Sequence, residues 1–247
     1  MIGSPYSIGV VPARRGSRGI ANKNVQPLAG KPLVAHTLIA ARDAQRLDRI
    51  LCTTDCPQVR QVAKTFGIEV LARPERLAND KACMRDVVAA VHEGLQAEAG
   101  VLPDDRPVWY ATLYPTCPLR TARHIDACIE YAATVAPFDS IVSVCRIKSA
   151  PPSGFTLDDD GVVRFVDSAD REYYQRQQKI PKYRLNGAIW VLNAERLDRL
   201  NRNMIGPRTA AFVMDEQSSV DIDTPVDLKF AEVIMETAYP QEVTAGV

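Results

Sequence analysis

The sequence has no excess of either charge, because 30 lysines and arginines offset 30 aspartates and glutamates among its 247 residues. A general nucleic-acid-binding protein usually carries a basic excess, so this balance argues against that class. The chain also lacks an apolar run long enough for a transmembrane helix, and its start lacks the pattern of a secretory leader. We therefore expect a cytoplasmic protein that binds neither nucleic acid nor a membrane.

Cysteine and histidine are scarce, and neither occurs in a metal-binding pattern. The six cysteines form no Cys-x-x-Cys pair, which predicts free thiols and argues against a zinc site. The three histidines, His36, His92 and His124, each fall in a predicted helix, which favours structural roles. A chain of this length can bury a core without a disulfide or a structural metal.

Short apolar runs alternate with segments of helical periodicity. Strands are predicted at 8–12, 49–54, 68–71, 108–113, 140–146 and 185–192, and helices at 33–41, 57–66, 81–99, 121–134 and 224–237. This alternation predicts an α/β fold with a mainly parallel sheet. The polar segment 149–183 interrupts it, and we interpret that segment as an insertion within a single domain spanning 1–247. Inside the insertion, Asp158-Asp-Asp-Gly161 predicts a hairpin turn.

Charge is distributed unevenly along the chain. No acidic residue precedes Asp43, and 171–184 is a second basic stretch, whereas 209–228 contains five acidic residues and no lysine or arginine. A neutral protein with such segments can bind an anion together with its counter-cation. Ordinary solvated surface charge is the alternative interpretation of any single segment.

Three loops that follow predicted strands carry the chemistry. The first is Pro12-Ala-Arg-Arg-Gly-Ser-Arg-Gly-Ile-Ala-Asn-Lys-Asn24, in which glycines permit tight turns and arginines can grip phosphate. It matches neither the Walker A loop nor the dinucleotide-binding fingerprint. The second is Tyr114-Pro-Thr-Cys-Pro-Leu-Arg120. Because ligands bind at the carboxyl ends of parallel strands, we expect the loops to meet.

The third loop is Ser219-Val-Asp-Ile-Asp-Thr-Pro-Val-Asp227. If its backbone is extended, Asp221 and Asp223 point the same way, and two such carboxylates suit a hard cation such as Mg²⁺. The alternative is a helix N-terminus with acidic residues in its first turn.

These blocks resemble the CMP-acylneuraminate synthetase family of cytidylyltransferases. The resemblance also includes Arg73-Pro74 with Leu77-Ala78-x-Asp80, and Arg184-x-Asn186-Gly-Ala-Ile189, and the blocks occur in the family's order. It implies a three-layer α/β/α fold of the nucleotide-diphospho-sugar transferase type, with an inserted arm in 149–183 that completes a homodimer. It further implies Mg²⁺-dependent transfer of CMP from CTP to an acidic sugar, with release of pyrophosphate.

The resemblance also implies residue roles, position by position. The residues expected to hold the triphosphate are Arg14, Ser17, Arg18 and Lys23. Those expected near the nucleotide are Asn24 and Arg73, with Ala13 and Thr116 beside the base or ribose. Asp221 and Asp223 are expected to hold Mg²⁺, and the expected catalytic set is Arg14, Arg18, Lys23 and Asp221. The residues expected to face the acceptor are Tyr114, Arg176, Arg184 and Asn186, with Arg176 supplied by the partner chain.

Several departures from the family pattern bear on the acceptor. The family usually has lysine at the position of Arg18, and glutamine and serine at the positions of Tyr114 and Cys117. Arginine at position 18 predicts a different grip on the triphosphate. Tyr114 replaces a glutamine that in the family tends to face the acceptor sugar, which predicts a differently shaped acceptor pocket. Two acceptors therefore stay open: a nonulosonic (sialic-like) acid, or a small phosphonate used in natural-product biosynthesis. A sugar-nucleotide glycosyltransferase and a non-catalytic nucleotide-binding homologue are weaker alternatives, because the phosphate loop and both carboxylates are present.

Overall fold

The computed structural model of the chain describes residues 4–16, 19–79, 81–147, 155–157, 159, 163–165 and 181–238. The strands are β1 (Tyr6–Pro12), β2 (Pro27–Leu28), β3 (Lys31–Pro32), β4 (Arg49–Thr54), β5 (Glu69–Ala72), β6 (Val108–Thr112), β7 (Ser140–Arg146), β8 (Phe155–Leu157), β9 (Val163–Phe165), β10 (Tyr183–Asn193) and β11 (Thr209–Met214). The α-helices are α1 (Leu33–Asp43), α2 (Pro57–Thr65), α3 (Met84–Gln96), α4 (Ala122–Val135) and α5 (Pro225–Ala238). Short 3-10 helices occupy Lys23–Val25, Glu75–Leu77, Ala194–Arg199 and Gln217–Ser219.

A seven-stranded sheet forms the centre of the described structure, in the order β11-β7-β10-β6-β1-β4-β5. Neighbouring strands are parallel except at β10, which is antiparallel to both β6 and β7. The predicted α/β fold with a mainly parallel sheet is therefore confirmed. The six parallel strands share one carboxyl edge, and β10 begins at that same edge.

Helices cover both faces of the sheet. Successive residues of a strand point to opposite faces, so neighbouring residues of β1 pack against different helices. Val11 packs in a core cluster with Leu38 of α1, whereas its neighbour Val10 packs in a second cluster with Val91 of α3. Helices α2 and α4 join the first cluster, and the 3-10 helix Ala194–Arg199 joins the second. The result is the expected three-layer α/β/α arrangement.

The largest differences from the sequence prediction concern a strand and a helix start. Strand β11 was not predicted, and it lies at the sheet edge, where its one partner among the described strands is β7. Helix α3 begins at Met84 and not at Lys81. The side chain of Asn79 accepts hydrogen bonds from the backbone N–H groups of Lys81 and Ala82 at 2.9 and 3.1 Å, which forms a turn that delays the helix.

The described residues of the insertion form a hairpin. Strand β8 pairs antiparallel with β9 on either side of Asp159, where a turn was expected. The ends of the insertion meet, because the backbone N–H of Ile147 donates to the carbonyl of Lys182 at 2.9 Å. Most of 149–183, and so the predicted arm, lies outside the described residues.

The cysteines and helices agree with two further expectations. All six cysteines are buried and none forms a disulfide. Within the described part of the chain, no helix is long and apolar enough to cross a membrane.

Candidate active site

A cleft of about 400 Å³ opens at the carboxyl edge of the sheet. All three predicted loops contribute residues to its lining, namely Arg14, Lys23, Asn24, Tyr114, Thr116 and Asp223, and Arg73, directly after β5, lines it as well. The structure therefore brings together residues that the sequence places more than 200 positions apart, from Arg14 to Asp223. Ser17, Arg18 and Arg176, which belong to the predicted site, lie outside the described residues.

The loop after β1 is fixed at its base by backbone groups. The N–H of Ala13 donates to the carbonyl of Thr53 at 3.0 Å, and its carbonyl accepts from the Thr54 hydroxyl at 2.6 Å. Farther along, the side-chain amide of Asn24 donates to the Arg14 carbonyl at 3.0 Å. Ala13 is fully buried, so its contribution here is to join β1 to β4.

Lys23 connects the basic loop to the acidic one. Its ammonium group is almost buried, donates to the carbonyl of Ile222 at 2.7 Å and pairs with the Asp223 carboxylate at 2.8 Å. The two loops also pack closely at Gly19, where a β-carbon would collide with the Asp223 carbonyl. Only glycine therefore fits at that position, and the two oppositely charged loops form one surface.

Arg73 adds a buried positive charge beside this surface. The side chain is 7% exposed, and its Nε donates to the Leu77 carbonyl at 2.7 Å, not to a carboxylate. Burial lowers its pKa, with Asp55 opposing the shift and Arg14 reinforcing it. Because Arg73 lines the cleft, an anion bound there would compensate a charge that is expensive to bury.

Asp221 lies behind Thr116, at the edge of the cleft. The nearby Thr116 hydroxyl favours the charged form of its carboxylate, and the backbones of the two loops are joined because the Ile222 N–H donates to the Thr116 carbonyl at 2.8 Å. Although Asp221 is accessible to solvent, the protein atoms crowded around its carboxylate desolvate it and raise its pKa. The negative charge of Asp223 raises it further, whereas Thr116 and Lys23 act in the opposite direction.

The helix-capping alternative for this loop applies to other residues. The Asp227 carboxylate accepts from the N–H groups of Thr224 and Asp223 at 2.7 and 3.1 Å, and the Thr224 hydroxyl accepts from the Asp227 N–H at 3.3 Å. This reciprocal pair caps α5. The side chains of Asp221 and Asp223 are therefore not needed for the cap.

The two remaining carboxylates fit a hard cation. Two carboxylates plus substrate phosphates are a usual donor set for Mg²⁺. Desolvation, and to a smaller extent the negative charge of Asp223, raises the pKa of Asp221, and a cation would offset both. Among the described residues, no group of three or more His, Cys, Asp or Glu side chains is placed to hold a metal.

Tyr114 forms an aromatic wall of the cleft. Its ring packs edge-on against Trp190, with centroids 5.3 Å apart and an interplanar angle of 84°. Burial raises the pKa of its phenol, an effect that nearby Arg73 opposes. The hydroxyl therefore stays protonated at neutral pH.

Arg184 and Asn186 do not line the cleft. Arg184 is exposed and donates to the Ser219 carbonyl at 3.2 Å. Asn186 is 1% exposed, and its side-chain amide is fully used within the protein. It accepts from the Ser143 hydroxyl at 2.5 Å and donates to the Ser219 hydroxyl at 2.8 Å. In this structure Asn186 supports the site from behind, whereas the sequence predicted that it faces the acceptor.

The sequence analysis assigned no role to Arg120, which holds the second loop in place. This buried guanidinium donates to the carbonyls of Tyr114 and Ala188 at 3.2 and 2.8 Å and to the Thr37 hydroxyl at 2.7 Å. Burial lowers its pKa to about 10. The one sequence feature that could have indicated this role is a charged residue directly after the apolar pair Pro118 and Leu119.

Cys117 was likewise noted only as a departure from the family pattern. Its side chain is 0% exposed, and its thiol donates to the Asn186 carbonyl at 3.1 Å. Burial raises its pKa to about 12, and the charge of Asp221 adds to the shift. The sulfur is therefore a protonated hydrogen-bond donor and not a nucleophile.

The three histidines lie in helices and hydrogen-bond to other groups of the protein. His92 hydrogen-bonds the Tyr110 hydroxyl at 2.9 Å, and His36 contacts the Leu28 carbonyl at 2.9 Å. His124 forms a capping box with Thr121 at the start of α4. The structure thus places all three where a structural role was expected, outside the set of residues lining the cleft.

Comparisons with known proteins agree with this arrangement. A family model described as Cytidylyltransferase matches residues 8–242. An N-acylneuraminate cytidylyltransferase of Escherichia coli is 32% identical over 236 residues, which cover 96% of this chain and 54% of that protein. The chain therefore spans about half the length of this relative. A CMP-N,N'-diacetyllegionaminic acid synthase of Legionella pneumophila is 33% identical over 234 residues, which cover 93% of this chain and 96% of that protein.

Among solved structures, the fold is similar to that of a CMP:2-keto-3-deoxy-manno-octonic acid synthetase complexed with CTP. The TM-score is 0.70 at 18% identity, over 94% of this chain and 99% of that one. At that identity the likeness shows the fold alone. Neither sequence relative is named for a phosphonate, so the phosphonate alternative finds no support.

Proposed function

The chain belongs to the cytidylyltransferase family, and from that premise we propose that it transfers CMP from CTP to a nonulosonic acid and releases pyrophosphate. One observation carries the proposal: the basic and acidic loops converge on the cleft, where Lys23 and Asp223 pair at 2.8 Å. A cleft that joins cations to carboxylates suits a triphosphate together with its counter-cation. The acceptor class follows from the names of the two sequence relatives.

In the proposed reaction, a hydroxyl oxygen of the acceptor attacks the α-phosphorus of CTP. The new oxygen–phosphorus bond forms as the bond from the α-phosphorus to the bridging oxygen breaks. Pyrophosphate leaves with that electron pair, and the hydroxyl proton passes to solvent. Arg14, Lys23 and Arg73, together with Ser17 and Arg18, hold the triphosphate, so positioning and charge neutralisation supply most of the acceleration.

The other cleft residues complete the nucleotide and cation sites. Asn24 and Thr116 lie beside the nucleotide, and Ala13 shapes the loop beneath it. Asp221 and Asp223 would hold Mg²⁺, which when bound would neutralise charge on the phosphates. Asp223 is already paired with Lys23, so the ammonium group and the cation share its carboxylate.

On the acceptor side, Tyr114 forms the wall that the sugar acid contacts. Its edge-on packing against Trp190 fixes the ring, which suits a role in selecting the acceptor's shape. Arg184, and Arg176 of a second copy, attract the acceptor's carboxylate. Asn186 supports this side through Ser143 and Ser219.

We also propose that the active form is a homodimer in which 149–183 reaches a second copy. Exposed apolar side chains near the base of that segment support the proposal: Tyr183, Leu185 and Val213 are 48%, 47% and 56% exposed. Contiguous apolar surface of this kind typically marks an interface. Light scattering on a variant lacking 149–183 tests it: a monomer is expected, and a stable dimer counts against the arm.

The proposed activity is tested by measuring pyrophosphate release from CTP and Mg²⁺ with a panel of acceptors. The panel contains sialic, legionaminic and pseudaminic acids, an eight-carbon ulosonic acid and several small phosphonates. Release with a nine-carbon acid is expected. For Asp221→Asn, a loss of about 10³-fold in kcat is expected, with a melting temperature at pH 7 no lower than that of the parent. Release with phosphonates alone overturns the acceptor assignment, and no release with any acceptor overturns the activity.

A further inference from the structure

The Asp221 carboxylate rests against two residues from different elements. Cys117 Sγ lies 3.9 Å from Asp221 Oδ1, and a β-carbon built on Gly187 would lie 3.7 Å from Asp221 Oδ2. The same β-carbon would lie 3.3 Å from Cys117 Sγ. Asp221 is therefore seated against a sulfur atom on one side and a residue without a side chain on the other.

The position of the sulfur is fixed by a buried chain of hydrogen bonds. The Cys117 thiol donates to the Asn186 carbonyl at 3.1 Å. The Asn186 amide is in turn held by Ser143 of β7 and by Ser219, at 2.5 and 2.8 Å. Because these groups are buried, moving the sulfur would disturb the whole network.

Gly187 keeps the other side of the carboxylate open. Its φ of +74° lies in the left-handed region, which residues with a β-carbon rarely adopt. A side chain there would be strained and would press on Cys117 Sγ, with Asp221 Oδ2 directly beyond it. The glycine therefore serves both the backbone turn and the space around Asp221.

From this geometry we propose that Cys117 and Gly187 are positioning residues for the cation: they hold Asp221 in the orientation that binds a divalent metal with the phosphates of CTP. The inference rests on the proposed function, because it takes Asp221 as a cation ligand. Groups that orient a metal ligand from behind typically change metal affinity about 10- to 100-fold when they are removed.

Binding of Mn²⁺ tests the proposal without requiring turnover. Free Mn²⁺ is measured by electron paramagnetic resonance, with the enzyme bound to a CTP analogue whose α–β bridge is a methylene group. We expect Cys117→Ala to raise the Kd for Mn²⁺ about tenfold, and Gly187→Ala to raise it at least as much. Cys117→Ser retains a donor to Asn186, so its Kd is expected within about threefold of the parent.

Cys128→Ala is the matched control, because Cys128 is a buried free thiol in α4 outside the cleft. It is expected to keep the parent's affinity for Mn²⁺, and the melting temperature of each variant shows that the protein is folded. Unchanged Mn²⁺ binding in Cys117→Ala, an equal loss in Cys128→Ala, or no Mn²⁺ binding by the parent overturns the proposal.

Failure of the proposed function remains distinguishable from failure of this inference. If the parent releases no pyrophosphate with any acceptor, yet its Mn²⁺ affinity depends on Cys117, the positioning role stands and the activity does not. If pyrophosphate is released but Mn²⁺ affinity does not depend on Cys117, the activity stands and the positioning role is wrong.

Discussion

The two walls of the cleft are built in opposite ways. The basic wall, residues 14–16 and 19–24, is largely exposed and carries formal charge, with Lys23 as its buried anchor. The buried wall, formed by 116–120, 186–188 and 219–220, lies mostly behind the cleft. It is held by hydrogen bonds inside the protein, two of which run from the Arg120 guanidinium to main-chain carbonyls. The cationic side chains thus lie on one wall, whereas the position of Asp221, the proposed cation ligand, is set by the other.

The largest expected effect concerns the buried wall. Arg120→Met keeps the volume of the side chain but removes the donors to the Tyr114 and Ala188 carbonyls, so buried acceptors lose their partners. We expect unfolding free energy to fall by about 3 kcal/mol, measured by urea denaturation. Arg123→Met, at an exposed position on α4, is the control. An equal fall of the unfolding free energy in both variants would show that the hydrogen bonds of Arg120 add no more stability than an exposed arginine does.

The basic wall should respond in activity more than in stability. Lys23→Met keeps the length of the side chain and removes the charge that the proposed function assigns to the triphosphate, so kcat/KM for CTP is expected to fall about 100-fold. Steady-state pyrophosphate release measures it, with Lys64→Met on the exposed face of α2 as the control. A kcat/KM within about threefold of the parent would contradict the role of Lys23.

The smallest expected effect is a dependence of stability on pH, and it comes from Asp221 and its neighbour Asp223. Burial, together with Asp223, raises the pKa of Asp221 above its ordinary value of 3.8, so the folded chain binds this proton more tightly than the unfolded chain. The contribution of this group to stability is therefore lost as pH rises through the raised pKa. Asp221→Asn should raise the melting temperature at pH 7, without divalent cations, by about 1–2 °C, because solvent screens the exposed carboxylate.

The same measurement at pH 4 should show a smaller difference between the parent and Asp221→Asn, since the raised pKa leaves more of the carboxyl group protonated in the folded chain than at pH 7. A destabilised variant at pH 7 would mean that the carboxylate is favoured where it lies, contrary to the desolvation argument. Calorimetry at the two pH values distinguishes these results.

Periodicity predicted most of the sheet but not its exception. Alternating apolar runs identify β1, β4 and β6, yet they contain no information on strand direction, so the reversal of β10 was not visible. Strand β11, with the sequence Thr-Ala-Ala-Phe-Val-Met, was missed although it is as long as β4, because its alanines weaken the strand pattern and most of its side chains are half-buried or exposed. Its pairing with β7 depends on contacts between segments that are distant in the sequence, which a local pattern does not contain.

The site was predictable where it depends on charged side chains and unpredictable where it depends on backbone carbonyls. Arg14, Lys23 and Asp223 stand out in the sequence by charge and by neighbouring glycines, and the structure places them in one cleft. The acceptors of Arg120 and Cys117 are main-chain oxygens, which every residue has. Asn186 was recognised as part of a motif, but its burial depends on packing against Ser143 and Ser219.

The antiparallel β10 has a consequence for how this protein can be altered. Because β7 ends and β10 begins at the same edge of the sheet, the segment between them leaves and re-enters at one point, where Ile147 and Lys182 are bonded at 2.9 Å. The length and sequence of such a segment can change at small entropic cost while the flanking register is kept. We therefore expect a graft of a different sequence between Ile147 and Lys182 to leave the sheet and the loops around the cleft folded.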